Sequence, residues 1–260
     1  MKVLMVGDIV GTTGLDLLRR FLPSLKREEG VDVCIVNGEN SADGNGVTVV
    51  SAEQIFTYGA DVITTGNHAF RRREAYEFFD ETECLLRPAN YLERVPGHGY
   101  CILDKGRVKV GVVNLMGTMY MDPIENPFII ADKILEELKD CRIIIVDFHA
   151  ETTSEKRAIG FYLDGRVSVV AGTHTHVQTA DEQILPNGTG YITDLGMTGP
   201  QDSVLGVVPE IVIDKFKYNM PARFDWKQGS GELDACLFEI DENSGRTTSV
   251  RRIILRENQS

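Results

Sequence analysis

Five short apolar runs in this 260-residue chain each stop at side chains of a kind that ligate metals. They are Met5-Val6-Gly7-Asp8, Ile35-Val36-Asn37-Gly38-Glu39-Asn40, Thr65-Gly66-Asn67-His68, Val146-Asp147-Phe148-His149 and Ala171-Gly172-Thr173-His174-Thr175-His176. Apolar runs of this length, closed by Gly, Asp or Asn, read as buried strands. Helical patterns separate them, and that alternation predicts an α/β sheet. In such a sheet the loops after the strand C-terminal ends converge, so ligands gather there.

The first third reads as strands at 2–6, 31–36 and 62–65, mostly parallel, with helices at 51–58 and 71–79. Leu15, Leu17, Leu18, Phe21, Leu22 and Leu25 mark a further helix, which Pro23 is expected to bend or interrupt. In the middle, runs at 100–103 and 108–113 flank Asp104-Lys105-Gly106-Arg107, a hairpin turn. Helices follow at 131–138 and 154–162, with strands at 143–148 and 167–170; a second hairpin pairs 233–240 with 248–255. These are more strands than one compact sheet needs, which predicts two packed sheets with outer helices. No repeat, low-complexity block or linker divides the chain, so a single domain over 1–260 is expected.

Twenty-seven Lys plus Arg against 39 Asp plus Glu leave a net charge of −12. That disfavours a large nucleic-acid footprint, but admits a small anionic ligand where bound cations outweigh the overall field. No apolar run approaches the ~20 residues that cross a bilayer, and Gly7-Asp8 cuts the first run too early for a signal peptide. A cytoplasmic location without membrane attachment is expected. The five cysteines show no Cys-x-x-Cys spacing and read as reduced, mostly buried thiols, which excludes zinc-finger and disulfide scaffolds.

Singly, most of the polar strand ends have ordinary explanations. Asp8 reads as a turn or cap residue, Glu39-Asn40 as loop chemistry, Asn67 as a helix cap and His149 as a hydrogen-bonded core histidine. His174-x-His176 is stronger, since alternate residues of an extended segment point to one side. Four of the five histidines lie in these segments, only His98 elsewhere, and a single metal site explains all five at once.

In this order Gly7-Asp8, Gly38-Glu39-Asn40, Gly66-Asn67-His68, His149 and Gly172-Thr173-His174-Thr175-His176 resemble the motifs of calcineurin-like metallophosphoesterases. Val10 stands where the general family has the histidine of Asp-x-His, Glu39-Asn40 replaces its usual aspartate block, and Ala69 replaces an acidic residue. Those departures are similar to the bacterial YmdB-like branch. So are Arg87-Pro88-Ala89-Asn90, the segment 147–151, the segment 173–180 and Asp194-Leu195-Gly196-Met197-Thr198-Gly199-Pro200, a resemblance running from Met1 to about Leu255.

The resemblance implies a four-layer α/β/β/α sandwich of two mixed sheets and a two-metal phosphodiesterase that hydrolyses 2′,3′-cyclic nucleotides to 3′-nucleotides. It implies that Asp8, Glu39, Asn40 and His176 bind one ion and Glu39, Asn67, His149 and His174 the other. Glu39 then bridges, an activated hydroxide attacks phosphorus, and His68 acts as general acid. Two carboxylates, two amides and three neutral imidazoles leave about +2 once two divalent ions are bound, which suits a phosphate ester. The absence of thiolates excludes iron–sulfur and cysteine–zinc sites. Iron, manganese or zinc fits the donor set, and the resemblance favours iron, then manganese. Neutral ligand imidazoles predict metal affinity that falls through the histidine range near ~6.5. Two other readings are a broad phosphomonoesterase and a metal- or nucleotide-binding regulatory module with little turnover. A small cyclic nucleotide or phosphodiester is the expected partner, and a homo-oligomer is left open. Arg71, Arg72 and Arg73 read either as phosphate contacts or as a solvated helix turn. The 194–206 segment reads as a closing loop or an ordinary one, and Glu151 as an orienting partner for a ligand histidine.

Overall fold

Strand alternation decides the layering. In the computed structural model, which describes residues 1–257, β1 (Lys2–Val6) turns Val3 and Met5 to one face and Leu4 and Val6 to the other. The chain continues through β2 (Asp8–Ile9), α1 (Gly11–Glu29), β3 (Val33–Asn37), α2 (Val49–Tyr58), β4 (Val62–Thr64) and α3 (Tyr76–Glu81). Next come β5 (Tyr100–Asp104), β6 (Lys109–Met116), α4 (Pro127–Glu137), β7 (Ile143–His149), α5 (Thr153–Leu163) and β8 (Val169–Thr173). The chain then forms β9 (Gln183–Ile184), β10 (Gly190–Ile192), β11 (Met197–Pro200), α6 (Pro209–Tyr218), β12 (Gly231–Ile240) and β13 (Thr247–Arg256). The expected domain over 1–260 includes residues 258–260, which lie outside those described.

Two mixed sheets result. The first has the order β2-β11-β12-β1-β3-β4 with β13 also on β12, and the second β5-β6-β7-β8-β10-β9. β1, β3 and β4 run parallel, as do β6, β7 and β8. Val3, Met5, Val33 and Ile35 of the first sheet meet Val112, Ile145, Val169 and Ala171 of the second in the central core. Leu18 and Leu22 of α1 and Ile55 of α2 cover Leu4, Val6 and Val36 on one outer face. Ile130 and Ile134 of α4 and Ile159 of α5 cover Val113, Ile144 and Val146 on the other. These are the four layers α/β/β/α.

Several expected boundaries move. α1 runs unbroken through Pro23, which is exposed, while Leu17, Leu18, Leu22 and Leu25 are buried. Each of those leucines contributes about 1.5–3 kcal/mol, enough together to offset the ~3 kcal/mol that an interior proline costs. The helix expected at 71–79 is instead a 3₁₀ turn at Arg73–Ala75 leading into α3. Residues 66–71 are spent on turns, with Ala69 N donating to Gly66 O and Arg71 N to His68 O. α4 starts earlier than expected, at Pro127 behind an Asn126 cap. β2, β9, β10, β11 and α6 were not anticipated; the four strands span two to four residues, too few for a period to show. Both hairpins form, and Gly106 takes the left-handed conformation (φ 76°) that the first turn requires. The five cysteines are free, four of them buried, and no helix among the described residues is long and apolar enough to cross a membrane.

Candidate metal centre

Glu39, two residues past β3, is almost fully buried where the C-terminal ends of the two parallel strand sets meet. Its Oε1 lies 3.1 Å from Asn40 Nδ2, 3.2 Å from His149 Nε2 and 3.6 Å from His68 Nδ1. Its Oε2 accepts the His68 backbone N–H at 3.2 Å. This approach depends on Gly66, where a Cβ would stand 2.1 Å from His149 Cδ2 and 2.4 Å from Glu39 Oε2.

The other donors close in on both sides. His149 Nε2 is 3.0 Å from Asn67 Oδ1 and 3.0 Å from His174 Nδ1. His176 Nε2 is 3.2 Å from Asn40 Nδ2 and 3.7 Å from Asp8 Oδ1, and His174 N donates to Asp8 Oδ2 at 3.2 Å. The structure therefore brings together Asp8, Glu39, Asn40, Asn67, His149, His174, His176 and His68. Two features differ from expectation. His174 and His176 do not sit in an extended segment: their φ angles are 99° and 61°, in the left-handed region that costs a non-glycine residue about 1–3 kcal/mol. Asn40 turns its Nδ2 toward Glu39 and His176 and its Oδ1 toward His68 Nδ1 at 2.8 Å, so holding a cation through oxygen requires its amide to flip.

The donor set fits a cation. Asp8 is fully buried and its Oδ1 has no hydrogen-bond partner among the described residues. Ligating atoms of Glu39, His149 and His174 lie within 4.8 Å of one another. Burial raises the Asp8 carboxyl well above the usual range, with Glu39 and Asp194 adding to it against His149. Burial also opposes ionisation of Glu39, but His149, His68 and His174 outweigh it and hold that carboxyl low. Burial opposes the charged form of His149, yet Glu39, Asp8 and Asp147 raise it to about 9. Burial and the charge of His149 lower His174 to about 3, and burial also lowers His68 and His176. The neighbours thus favour the charged form on His149, while burial disfavours it on His68, His174 and His176.

Partners behind the histidines fix their ring orientations. His149 Nδ1 donates to Thr173 Oγ1 (2.9 Å), which donates to Asp147 Oδ1 (2.7 Å). Asp147 Oδ2 accepts from Asn37 Nδ2 at 3.1 Å and from the Thr64 hydroxyl. His174 Nε2 faces Glu151 Oε2 at 3.0 Å, and His176 Nδ1 faces Leu205 O at 3.2 Å. Each ring keeps its other nitrogen toward the centre. The role of Asp147 behind His149 is legible in hindsight, because residues two apart on a strand share a face. Lys156, Thr173, Asn37 and Thr64 gave no comparable signal. Arg72 is structural, donating to Ala42 O and Asn45 O, whereas Arg71 stays exposed near His68. Asp194 is fully buried under the His174–His176 turn, so the start of the 194–206 segment is an anchor.

The model of the family described as YmdB-like protein matches residues 4–253. The chain belongs to the YmdB-like family. It is 43% identical over 258 residues to the 2′,3′-cyclic-nucleotide 2′-phosphodiesterase of Bacillus subtilis, covering 99% of this chain and 98% of that protein. A phosphatase crystal structure from Mycoplasma pneumoniae superposes with a TM-score of 0.94 at 34% identity, covering 98% of this chain and 93% of that one. A 5′-nucleotidase structure from Staphylococcus aureus shares the fold, with a TM-score of 0.66 at 13% identity over 100% of this chain and 55% of its own. The YmdB-like chain therefore has the α/β fold of calcineurin-like phosphoesterases, a family that implies divalent metals, and Glu39, His149 and His174 form a group that could hold one.

Proposed function

We propose that this YmdB-like protein is a metal-dependent phosphodiesterase that hydrolyses 2′,3′-cyclic nucleotides to 3′-nucleotides, its residues 1–260 acting as one domain. The observation that carries this reading is Glu39 Oε1, shared between the groups containing His149 and His176, beside an Asp8 oxygen with no protein partner. The 43% identical B. subtilis enzyme supports the same substrate class. Asp8, Glu39, Asn40 and His176 would hold one ion, and Glu39, Asn67, His149 and His174 the other, iron before manganese or zinc. When bound, such ions supply Lewis-acid charge to the phosphoryl oxygens and ease deprotonation of the attacking water.

The chain's own residues supply the rest. Glu151, Thr173 and Asp147 hold the imidazoles so that each turns one nitrogen inward. His68 Nδ1 faces the Asn40 amide at 2.8 Å whichever way that amide is turned, which leaves Nε2 to deliver a proton to the 2′ oxygen as its bond to phosphorus breaks. We further propose a cytoplasmic enzyme acting on small diesters.

The M. pneumoniae phosphatase keeps a monoester reading in view. Assaying 2′,3′-cyclic AMP and a nucleoside monophosphate side by side, with metal content measured, separates the two. Turnover of the cyclic diester well above the monoester is expected. The reverse order makes the protein a phosphomonoesterase, and metal binding without turnover makes it a regulatory module.

A further inference from the structure

A cavity of about 710 Å³ opens between α4 and the loop that follows residue 86, and Arg87 lies among its lining residues. Arg87 is 6% exposed, and no carboxylate among the described residues comes within 4.0 Å of it. Its Nη1 donates to Pro88 O at 2.9 Å, while its Nε is buried without a partner among the described residues. A guanidinium so placed has lost most of its water with no carboxylate in contact, which is costly. Burial holds its pKa below the ordinary arginine range, against the pull of Asp80, Glu93 and Tyr91. The cavity walls are apolar and aromatic, formed by Ile130 and Ile134 of α4 and by Tyr91 and Tyr100. Tyr91 meets Phe70 edge-on at 5.3 Å, and Phe70 follows His68 by two residues in the chain.

We propose that this cavity is a second ligand site, taking a small organic oxyanion whose carboxylate or phosphate end reaches Arg87 and whose flat apolar body lies along Tyr91, Tyr100 and α4. The volume is that of an organic ligand rather than a lone inorganic ion. The remaining charges sharpen the choice. Glu93, Glu125 and Glu137 line the rim and are exposed, with Lys133 the one rim cation, so negative charge is repelled at the mouth and welcomed only at Arg87. A ligand with its charge confined to one end satisfies both; a polyphosphate does not. This site stands apart from the reading of the metal centre and holds whichever ester is cleaved there.

The test is calorimetric titration of the metal-loaded protein with benzoate, phenylphosphonate, inorganic phosphate and uncharged benzyl alcohol. In the binding that Arg87→Met removes, benzoate or phenylphosphonate is expected to dominate and the alcohol and inorganic phosphate to be at least tenfold weaker; which oxyanion binds better identifies the natural head group. Arg87→Met should weaken the preferred probe by about tenfold to a hundredfold, since a charge-assisted hydrogen bond is worth ~1.5–3 kcal/mol. Arg87→Lys should restore part of that loss. Lys133→Glu changes an exposed side chain, cannot unfold the protein, and should weaken the probe about two- to fivefold. Glu39→Ala should leave this binding in place, because the metal centre is elsewhere. The proposal is overturned if binding is unchanged in both Arg87→Met and Lys133→Glu, if Glu39→Ala abolishes it, or if no probe binds at about 10 mM, in which case the cavity holds water only. Inorganic phosphate whose binding depends on Arg87 as strongly as that of phenylphosphonate also overturns it, because no organic body is then recognised; phosphate binding that survives Arg87→Met and is lost in Glu39→Ala is assigned to the metal centre.

Discussion

Lys156 Nζ lies 2.6 Å from Asp194 Oδ2, and both side chains are buried from solvent. The same carboxylate oxygen accepts the Thr175 hydroxyl at 2.6 Å and the Thr175 N–H at 3.0 Å, while Oδ1 accepts Gly196 N at 2.8 Å. This ion pair anchors the left-handed turn that aims His174 and His176 inward. Asp194→Ala should destabilise the fold by about 3–5 kcal/mol, because it leaves a buried ammonium unpaired. Lys156→Met should cost less, about 1–3 kcal/mol, since three other donors still hold the carboxylate. Urea unfolding of both variants decides; equal, negligible costs would show that the turn stands without the pair.

Glu39→Ala should lose both metal equivalents, since one carboxylate is proposed to serve both groups of ligands. Elemental analysis of the purified variant measures this. Two retained equivalents would assign the bridge to another side chain. In the native protein a chelator should abolish turnover and Fe(II) or Mn(II) should restore it.

Metal affinity should fall as pH drops, and the window is higher than an ordinary histidine suggests. His149 is raised to about 9 without a cation, so proton and metal compete for its Nε2 below that value. Apparent affinity should weaken by roughly tenfold per pH unit over the first units below about 9. Competition titrations across pH check it; a flat profile down to pH ~7 would remove His149 from the ligand set.

His68→Ala should keep its metals and lose ~10²–10⁴-fold in cleavage of 2′,3′-cyclic AMP. Loss on bis-p-nitrophenyl phosphate should be much smaller, because nitrophenolate leaves without a proton. Burial lowers His68 from 6.5, so its acid form disappears as pH rises through that lowered value. Cleavage of the cyclic diester by metal-saturated protein should therefore decline toward high pH, and the nitrophenyl ester should not follow it. Equal losses on both substrates would make His68 a phosphate-positioning group.

Asp234→Asn should stabilise the protein above neutrality. Burial, helped by Glu232, raises Asp234 to about 7, and its Oδ1 is buried without a partner. A carboxyl whose folded pKa is raised contributes stability below its unfolded pKa and loses it as pH rises through the folded one. The advantage of the amide should grow by about 2–3 kcal/mol between about pH 5 and pH 8. Thermal unfolding at the two pH values measures it; no pH-dependent difference would mean Asp234 stays ionised throughout.

That Asp8, Glu39, Asn40, Asn67, His68, His149, His174 and His176 gather at one place was legible in the sequence, because strands have a period of two and their ends carry the chemistry. Apolar runs closing on Asp, Glu-Asn, Asn-His and His place those residues at the C-terminal ends of strands in each of the two sheets. The longer helices and both hairpins were legible for the same reason, since each repeats its pattern over enough residues to show. Local sequence could not say where long-range partners sit. Lys156 meets Asp194 across 38 residues, Thr64 meets Asp147 across 83, and His176 meets Asn40 across 136. The left-handed turn at His174 and His176 is likewise a tertiary outcome, because an isolated chain disfavours that conformation and the buried anchors behind it supply the compensation. The sequence by itself determined which residues reach the strand ends; only the packing of two sheets decided which of their atoms face one another and with what charge, because burial and neighbouring charges set ionisation in three dimensions.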